Sequence, residues 1–298
     1  MLTTITSVSG GKTSSYMALH YPTDYNIFAC VLTTDTNTIP KDKYLRNYCQ
    51  NKIPGFVGSR ELDQTLLNLV KLEQDLGKEI IWVVANKSNT LSGEILTEDD
   101  LLTYDDLINI KNFLPNKRLR ICTEYLKIYP IFWYCYLNLL TSTEDLILMN
   151  IGYRYDEPKR VNKNPVLSCG SIKVPVSCNI NSKNKRNKQN LKNISWRIFD
   201  YPLYTNQVTK EVVESYWKNK NRKFPKVSNC DFCFFHKLDE LDYQHKQYRD
   251  RYNWWIEQEH FIGKTFLSKY GYTDLLDASF NKQKLKLKET DSSCFCTD

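Results

Sequence analysis

Near the N-terminus six consecutive residues, Ser9-Gly10-Gly11-Lys12-Thr13-Ser14, bring together hydroxyls, two glycines and a cation. Following a strand and opening a helix, such a run can bind an anion. Backbone N–H groups point outwards there, and the helix dipole is positive at that end. Gly10 and Gly11 let the backbone approach a phosphate closely, Ser9 and Ser14 add hydroxyl donors, and Lys12 adds a full charge. The spacing is neither that of the Walker A loop nor that of the dinucleotide fingerprint. An ordinary strand-to-helix turn with two glycines is the plainer alternative. A second polar run, Gly152-Tyr153-Arg154-Tyr155-Asp156-Glu157, contains an arginine whose planar fork suits phosphate or sulfate oxygens. Its two carboxylates, Asp156 and Glu157, suit Mg²⁺. A surface salt bridge within the run is the alternative. Cys230 and Cys233 form a Cys-x-x-Cys pair suited to metal or redox chemistry.

These residues need a scaffold. Thr3 to Val8 is rich in β-branched residues and reads as a strand, followed by the glycine turn and a helix over Thr13 to His20. Asn26 to Thr33 reads as a second strand, Ile80 to Val84 as a third and Leu146 to Ile151 as a fourth. Leu62, Leu66, Leu67, Val70 and Leu72 recur at helical spacing and predict a helix over Arg60 to Leu76. Thr123 to Leu140 reads as helical with a break at Pro130. Val208 to Lys218 and Leu238 to about Phe261 also read as helices. Strands alternating with helices predict a doubly wound, mainly parallel α/β sheet. The texture changes past residue 160. This predicts a first domain over residues 1–160 and a mostly helical C-terminal region over 161–298.

The loop resembles that of the PP-loop family of adenine-nucleotide α-hydrolases, a branch of the Rossmann-like HUP folds. Specifically, it resembles the branch related to phosphoadenosine phosphosulfate (PAPS) reductase. Arg120-Ile121-Cys122-Thr123-Glu124-Tyr125-Leu126-Lys127 resembles the Arg-x-Cys-Thr-x-x-Leu-Lys block of that branch, and 152–157 resembles its Gly-x-Arg-x-Asp-Glu block. Cys230-Asp231-Phe232-Cys233-Phe234 resembles a Cys-x-x-Cys-Phe element of phage and bacterial members. The resemblance implies an enzyme that binds ATP, or PAPS, through Ser9 to Ser14, with Arg120, Lys127, Gly152 and Arg154 also at the nucleotide. It implies catalysis by Lys12, Arg154 and Asp156. The chain departs from the family at Thr13, where many members carry Asp, and at Thr33-Thr34-Asp35-Thr36, where Thr-Gly-x-Glu is usual; Asp35 then supplies the missing carboxylate near ribose or metal.

Three thiolates, Cys122, Cys230 and Cys233, with Cys169 or Cys178 as a fourth, can hold a [4Fe–4S] cluster. Zinc, or plain reduced thiols, remain open. Cys30, Cys49 and Cys135 read as core residues. Near the C-terminus, Cys294 and Cys296 stand without the Glu-Cys-Gly context of sulfonucleotide reductases. That leaves PAPS reduction with a cysteine nucleophile and a thioredoxin donor as the second reading. A nucleotide- or nucleic-acid-binding protein without turnover is the third.

The 298 residues carry a net charge of +7 and 41% hydrophobic residues, ordinary for a globular chain able to bury a core. No stretch is apolar enough to span a bilayer and no signal peptide is visible, so a cytoplasmic protein is expected. Basic residues at 183–192 (Lys183, Lys185, Arg186, Lys188) and 282–288 are expected to contact a tRNA or DNA substrate. Tyr248, Tyr252, Trp254 and Trp255 either stack bases or form the packed face of a helix. A sulfur donor is a further expected partner.

Overall fold

The computed structural model describes residues 2–92, 100–142, 144–175, 191–227, 230–267 and 271–276. Six strands form one sheet: β1 (Thr4–Val8), β2 (Tyr25–Ala29), β3 (Ile80–Val83), β4 (Ile147–Asn150), β5 (Cys169–Pro175) and β6 (Leu191–Asp200). The order is β3-β2-β1-β4-β6-β5, with every neighbouring pair parallel except β5 and β6. Helices flank the sheet, so the architecture is Rossmann-like α/β. The sheet runs on past residue 160, because β6 pairs with β4 and brings β5 with it as an antiparallel edge.

Central strands are buried on both faces, which explains their near-continuous apolar character. One face packs Ile5, Ile27 and Met149 against Phe132 of the Tyr129–Asn138 helix. The other packs Val8 and Phe28 against Leu66 and Leu69 of the Asp63–Leu76 helix. That helix starts three residues later than its apolar spacing predicts. Arg60 is held outside the helix, its N–H donating to Val31 O (2.9 Å) and its carbonyl accepting from Asp231 N (2.7 Å). It ends at Gly77, whose φ of 58° is cheap only for glycine.

The segment expected to break at Pro130 changes pitch earlier. A single π turn, Glu124–Ile128, joins Ile121–Thr123 to Tyr129–Asn138. Pro130 lies in the first turn of that last helix, where its missing N–H costs little. The expected long C-terminal helix divides at Tyr248 (φ −133°) into Leu238–Gln247 and Arg249–Ile262. Its aromatic residues settle the choice left open by the sequence. Tyr252, Trp254 and Trp255 are buried with Tyr104, Leu107 and Phe232 in a third core cluster, so they are not displayed for base stacking. Among the described residues, no helix is long and apolar enough to cross a membrane.

Glu259 fastens the end of this region to the Arg249–Ile262 helix by accepting from Phe266 N (2.9 Å) and Tyr272 N (2.6 Å). Burial nevertheless pushes its carboxyl from the ordinary 4.5 up to about 7. Across that window the folded chain holds a proton that the unfolded chain has released. Stability therefore falls as pH rises from 4.5 to about 7 and levels off above it. Glu259→Gln is expected to flatten this slope in melting temperatures measured across the window. An unchanged slope would assign the effect to another group.

Candidate functional site

Strand order places the site. From β1 the chain winds outwards to β2 and β3, and β4 then joins β1 on its other side. Such a switch point leaves a crevice beyond the carboxyl ends of the two strands, where open α/β sheets take their ligands. The loop Ser9–Ser14 leaves β1 there, and the Gly152–Glu157 segment follows β4. Both border a cleft of about 1000 Å³.

Within the loop, Ser9 N–H donates to Ser14 Oγ (3.1 Å), and the Ser9 and Ser14 hydroxyls share a hydrogen bond (3.0 Å). The Lys12–His20 helix begins at Gly11 with no side-chain cap and no acid in its first turn. No described side chain therefore caps its leading N–H groups, where the helix dipole is positive. Gly11 lines the cleft, but Gly10 does not. Gly10 has φ +69°, and a Cβ there would meet Thr65 O at 2.7 Å. Its glycine serves close packing on the Asp63–Leu76 helix, which corrects the expectation that both glycines approach the ligand. Trp217, from the Lys210–Asn219 helix, braces the loop by donating its Nε1–H to Lys12 O (2.8 Å).

Arg154 reaches across from β4 and donates Nη1–H to Thr13 Oγ1 (3.1 Å). Thr13 therefore holds the arginine through a neutral hydroxyl acceptor. Asp156 accepts from Arg154 Nε (3.1 Å) and Nη2 (3.2 Å), and from Lys210 N (3.1 Å). Burial opposes ionisation of Asp156, but the Arg154 hydrogen bonds and charge outweigh it and hold the carboxyl below its ordinary value. Glu157 pairs with Arg154 (3.3 Å) and Arg160 (2.8 Å). Both carboxylates thus orient arginines beside the loop. Gly152 lies against the loop, where a Cβ would stand 3.5 Å from Thr13 Cγ2.

Lys127 also lines the cleft, aimed there by the π turn that carries it, with Nζ 4.0 Å from Glu61 Oε1. Glu61 and Arg197 are cleft residues absent from the sequence-based set. Burial raises the Glu61 carboxyl, opposed by Lys127, by Ser59 and by the Val31 N–H (3.2 Å). Among the described residues, the lining carries ten lysines and arginines against four carboxylates, Glu61, Asp156, Glu157 and Glu214. This concentration attracts anions, and the low-dielectric walls strengthen it.

Two expected nucleotide ligands lie elsewhere. Arg120 does not line the cleft; it donates to Thr123 Oγ1 (3.3 Å) and lies over the Phe235 ring (5.3 Å). Asp35 is buried, caps a short turn through Asn37 N (3.0 Å) and pairs with Arg60 (2.5 Å). Ordering a loop by these local bonds consumes the carboxylate that the sequence suggested for ribose or metal.

Cys122, Cys230 and Cys233 do share one neighbourhood. Burial chiefly, and then the three thiols in turn, push the Tyr104 hydroxyl up. Yet no group of three or more His, Cys, Asp or Glu among the described residues is arranged to hold a metal. Cys169 sits exposed on β5 at the far edge of the sheet, which removes it as a fourth ligand. Cys30, Cys49 and Cys135 are buried, as expected of core residues. Cys178, Cys294, Cys296 and the basic residues at 183–188 and 282–288 lie outside the described residues. In comparisons with known proteins, no protein-family model matches the chain, and no curated protein matches it.

Proposed function

We propose that this chain is a PP-loop adenine-nucleotide enzyme of the PAPS reductase-like kind. It binds ATP and activates a second substrate by substitution at the α-phosphorus. The observation that carries this reading is the uncapped helix N-terminus at Gly11, facing Arg154 across the β1–β4 switch point in a strongly basic cleft. In the proposed reaction an oxygen of the acceptor forms a bond to the α-phosphorus. The bond from that phosphorus to the bridging oxygen breaks, and pyrophosphate leaves with the electron pair. Replacement of the adenylate by sulfur or another nucleophile completes the modification.

The protein contributes position and charge. Lys12 and Arg154 neutralise the phosphate oxygens, and Asp156 and Thr13 hold the Arg154 guanidinium beside the loop. The lysines around the cleft, together with the basic segments of the sequence, favour a nucleic acid as the acceptor. Incubation with ATP, Mg²⁺ and either tRNA or DNA tests the reading. AMP transfer with release of pyrophosphate is expected. Release of orthophosphate with ADP would overturn it.

A further inference from the structure

Arg197 lies on β6, two strands from the phosphate loop and therefore on the order of 10 Å from β1 across the sheet. It lines the base of the same cleft, yet is only 6% exposed. Among the described residues it pairs with no carboxylate. Among the described residues its one side-chain hydrogen bond runs from Nη1 to Met149 Sδ (3.2 Å), a weak acceptor, and Nε has no acceptor there. The guanidinium lies near the rings of Phe199 (4.5 Å) and Trp196 (4.9 Å), which can engage its faces but not its in-plane donors. Burial lowers its pKa to about 10, so it stays charged near neutrality.

The surroundings make room for this side chain. Gly170 is its partner across the β5–β6 hairpin, and a Cβ at Gly170 would stand 3.0 Å from Arg197 Cγ and 2.8 Å from Phe199 Cζ. A buried, unneutralised arginine costs stability, and replacing such a group by an apolar residue of similar volume is often neutral or stabilising. A cation kept at the floor of a ligand cleft despite that cost is a receptor for something the cleft admits. The apolar neighbours Ile131 and Met149 would strengthen its attraction for an anion.

We propose that Arg197 receives an oxyanion group of the second substrate, at a subsite separate from the phosphate site of the loop. The inference rests on the proposed function in treating the cleft as the place where nucleotide and acceptor meet, and it gives the acceptor a charge. The planar fork suits a bidentate oxyanion, and the hydrogen-bond edge of the guanidinium is the recognition element.

Sulfate binding to the full chain carrying Lys12→Ala, which weakens the loop site, tests the proposal. Calorimetry at constant ionic strength is expected to find one sulfate site. Affinity should fall by roughly tenfold or more when Arg197→Met is added, with Arg197→Lys intermediate because it keeps charge without the fork. Phosphate and acetate arms distinguish a tetrahedral from a carboxylate group, and loss of either on Arg197→Met supports the subsite. Without anion, the melting temperature with Arg197→Met should equal or exceed that of its parent. Anion affinities that ignore residue 197, absence of binding for all three anions, or unfolding of Arg197→Met would each overturn the proposal. ATP binding is measured separately on the wild-type chain. Its failure with the sulfate site intact would remove the nucleotide reading and leave the subsite standing.

Discussion

Lys12→Ala is expected to weaken ATP binding by about 1.5–3 kcal/mol, roughly ten- to a hundredfold, the worth of a charged hydrogen bond to phosphate. The side chain stands at the first position of the uncapped helix, with Nζ 3.6 Å from Glu214 Oε1. Both partners of that ion pair are almost half exposed, so water screens it and it yields readily to a phosphate. Little of the fold depends on Lys12, because its side chain is outside the core and its carbonyl is held by Trp217. Calorimetric titration of wild type and variant separates loss of binding from loss of folding. Equal affinities would remove the loop from the nucleotide site.

Arg60→Met is expected to have the largest effect on stability, about 3–5 kcal/mol, the usual cost of removing one partner from a buried ionic network. Arg60 is fully buried between Asp35 (2.5 Å) and Asp231 (3.5 Å), with its guanidinium 4.5 Å from the Trp254 ring. Burial raises the Asp231 carboxyl, and the charges of Arg60 and Arg251 oppose that rise. Arg251 extends the network to Asp63 (2.7 Å) and to the Glu61 carbonyl (3.2 Å). The network therefore joins the C-terminal helices to the loop after β2 and to the start of the Asp63–Leu76 helix. Removing Arg60 leaves two carboxylates buried with less compensation. A denaturation midpoint equal to that of wild type would show that Asp35 and Asp231 do not depend on it.

The β1–β4 strands were legible because β-branched and apolar residues run almost continuously through them, and the Asp63–Leu76 helix because its leucines recur at helical spacing. Thr4–Val8 and Ile80–Val83 lie within one residue of their expected bounds, whereas Tyr25–Ala29 ends four residues before the expected Thr33, because apolar residues continue past the paired segment. The Tyr104–Lys111 helix was missed although Thr103 and Asp106 form a reciprocal capping box, since only two turns of weak periodicity follow it. The β5–β6 hairpin was hidden by polar residues on an edge strand, whose solvent-facing positions leave little apolar signal. At the site, Ser9, Lys12 and Arg154 were legible because glycine spacing and charge mark a loop that follows a strand. Glu61 was not, since an acid before a helix normally reads as favourable to the dipole. Arg197 left a usable signal, a charge inside Ile194-Ser195-Trp196-Arg197-Ile198-Phe199, where burial makes a cation expensive. Asp35 and Arg120 stand outside the cleft lining, engaged by Arg60, Asn37 and Thr123, because a sequence motif does not show which nearby group a charge will satisfy first.

Titration of ATP with Mg²⁺ into the wild-type chain, with PAPS as the competing ligand, tests the assignment of the cleft most directly. The expected result is one ATP site that outcompetes PAPS and is weakened roughly ten- to a hundredfold by Lys12→Ala. Preference for PAPS would contradict ATP activation and favour sulfonucleotide reduction, and binding of neither would contradict an adenine-nucleotide cleft.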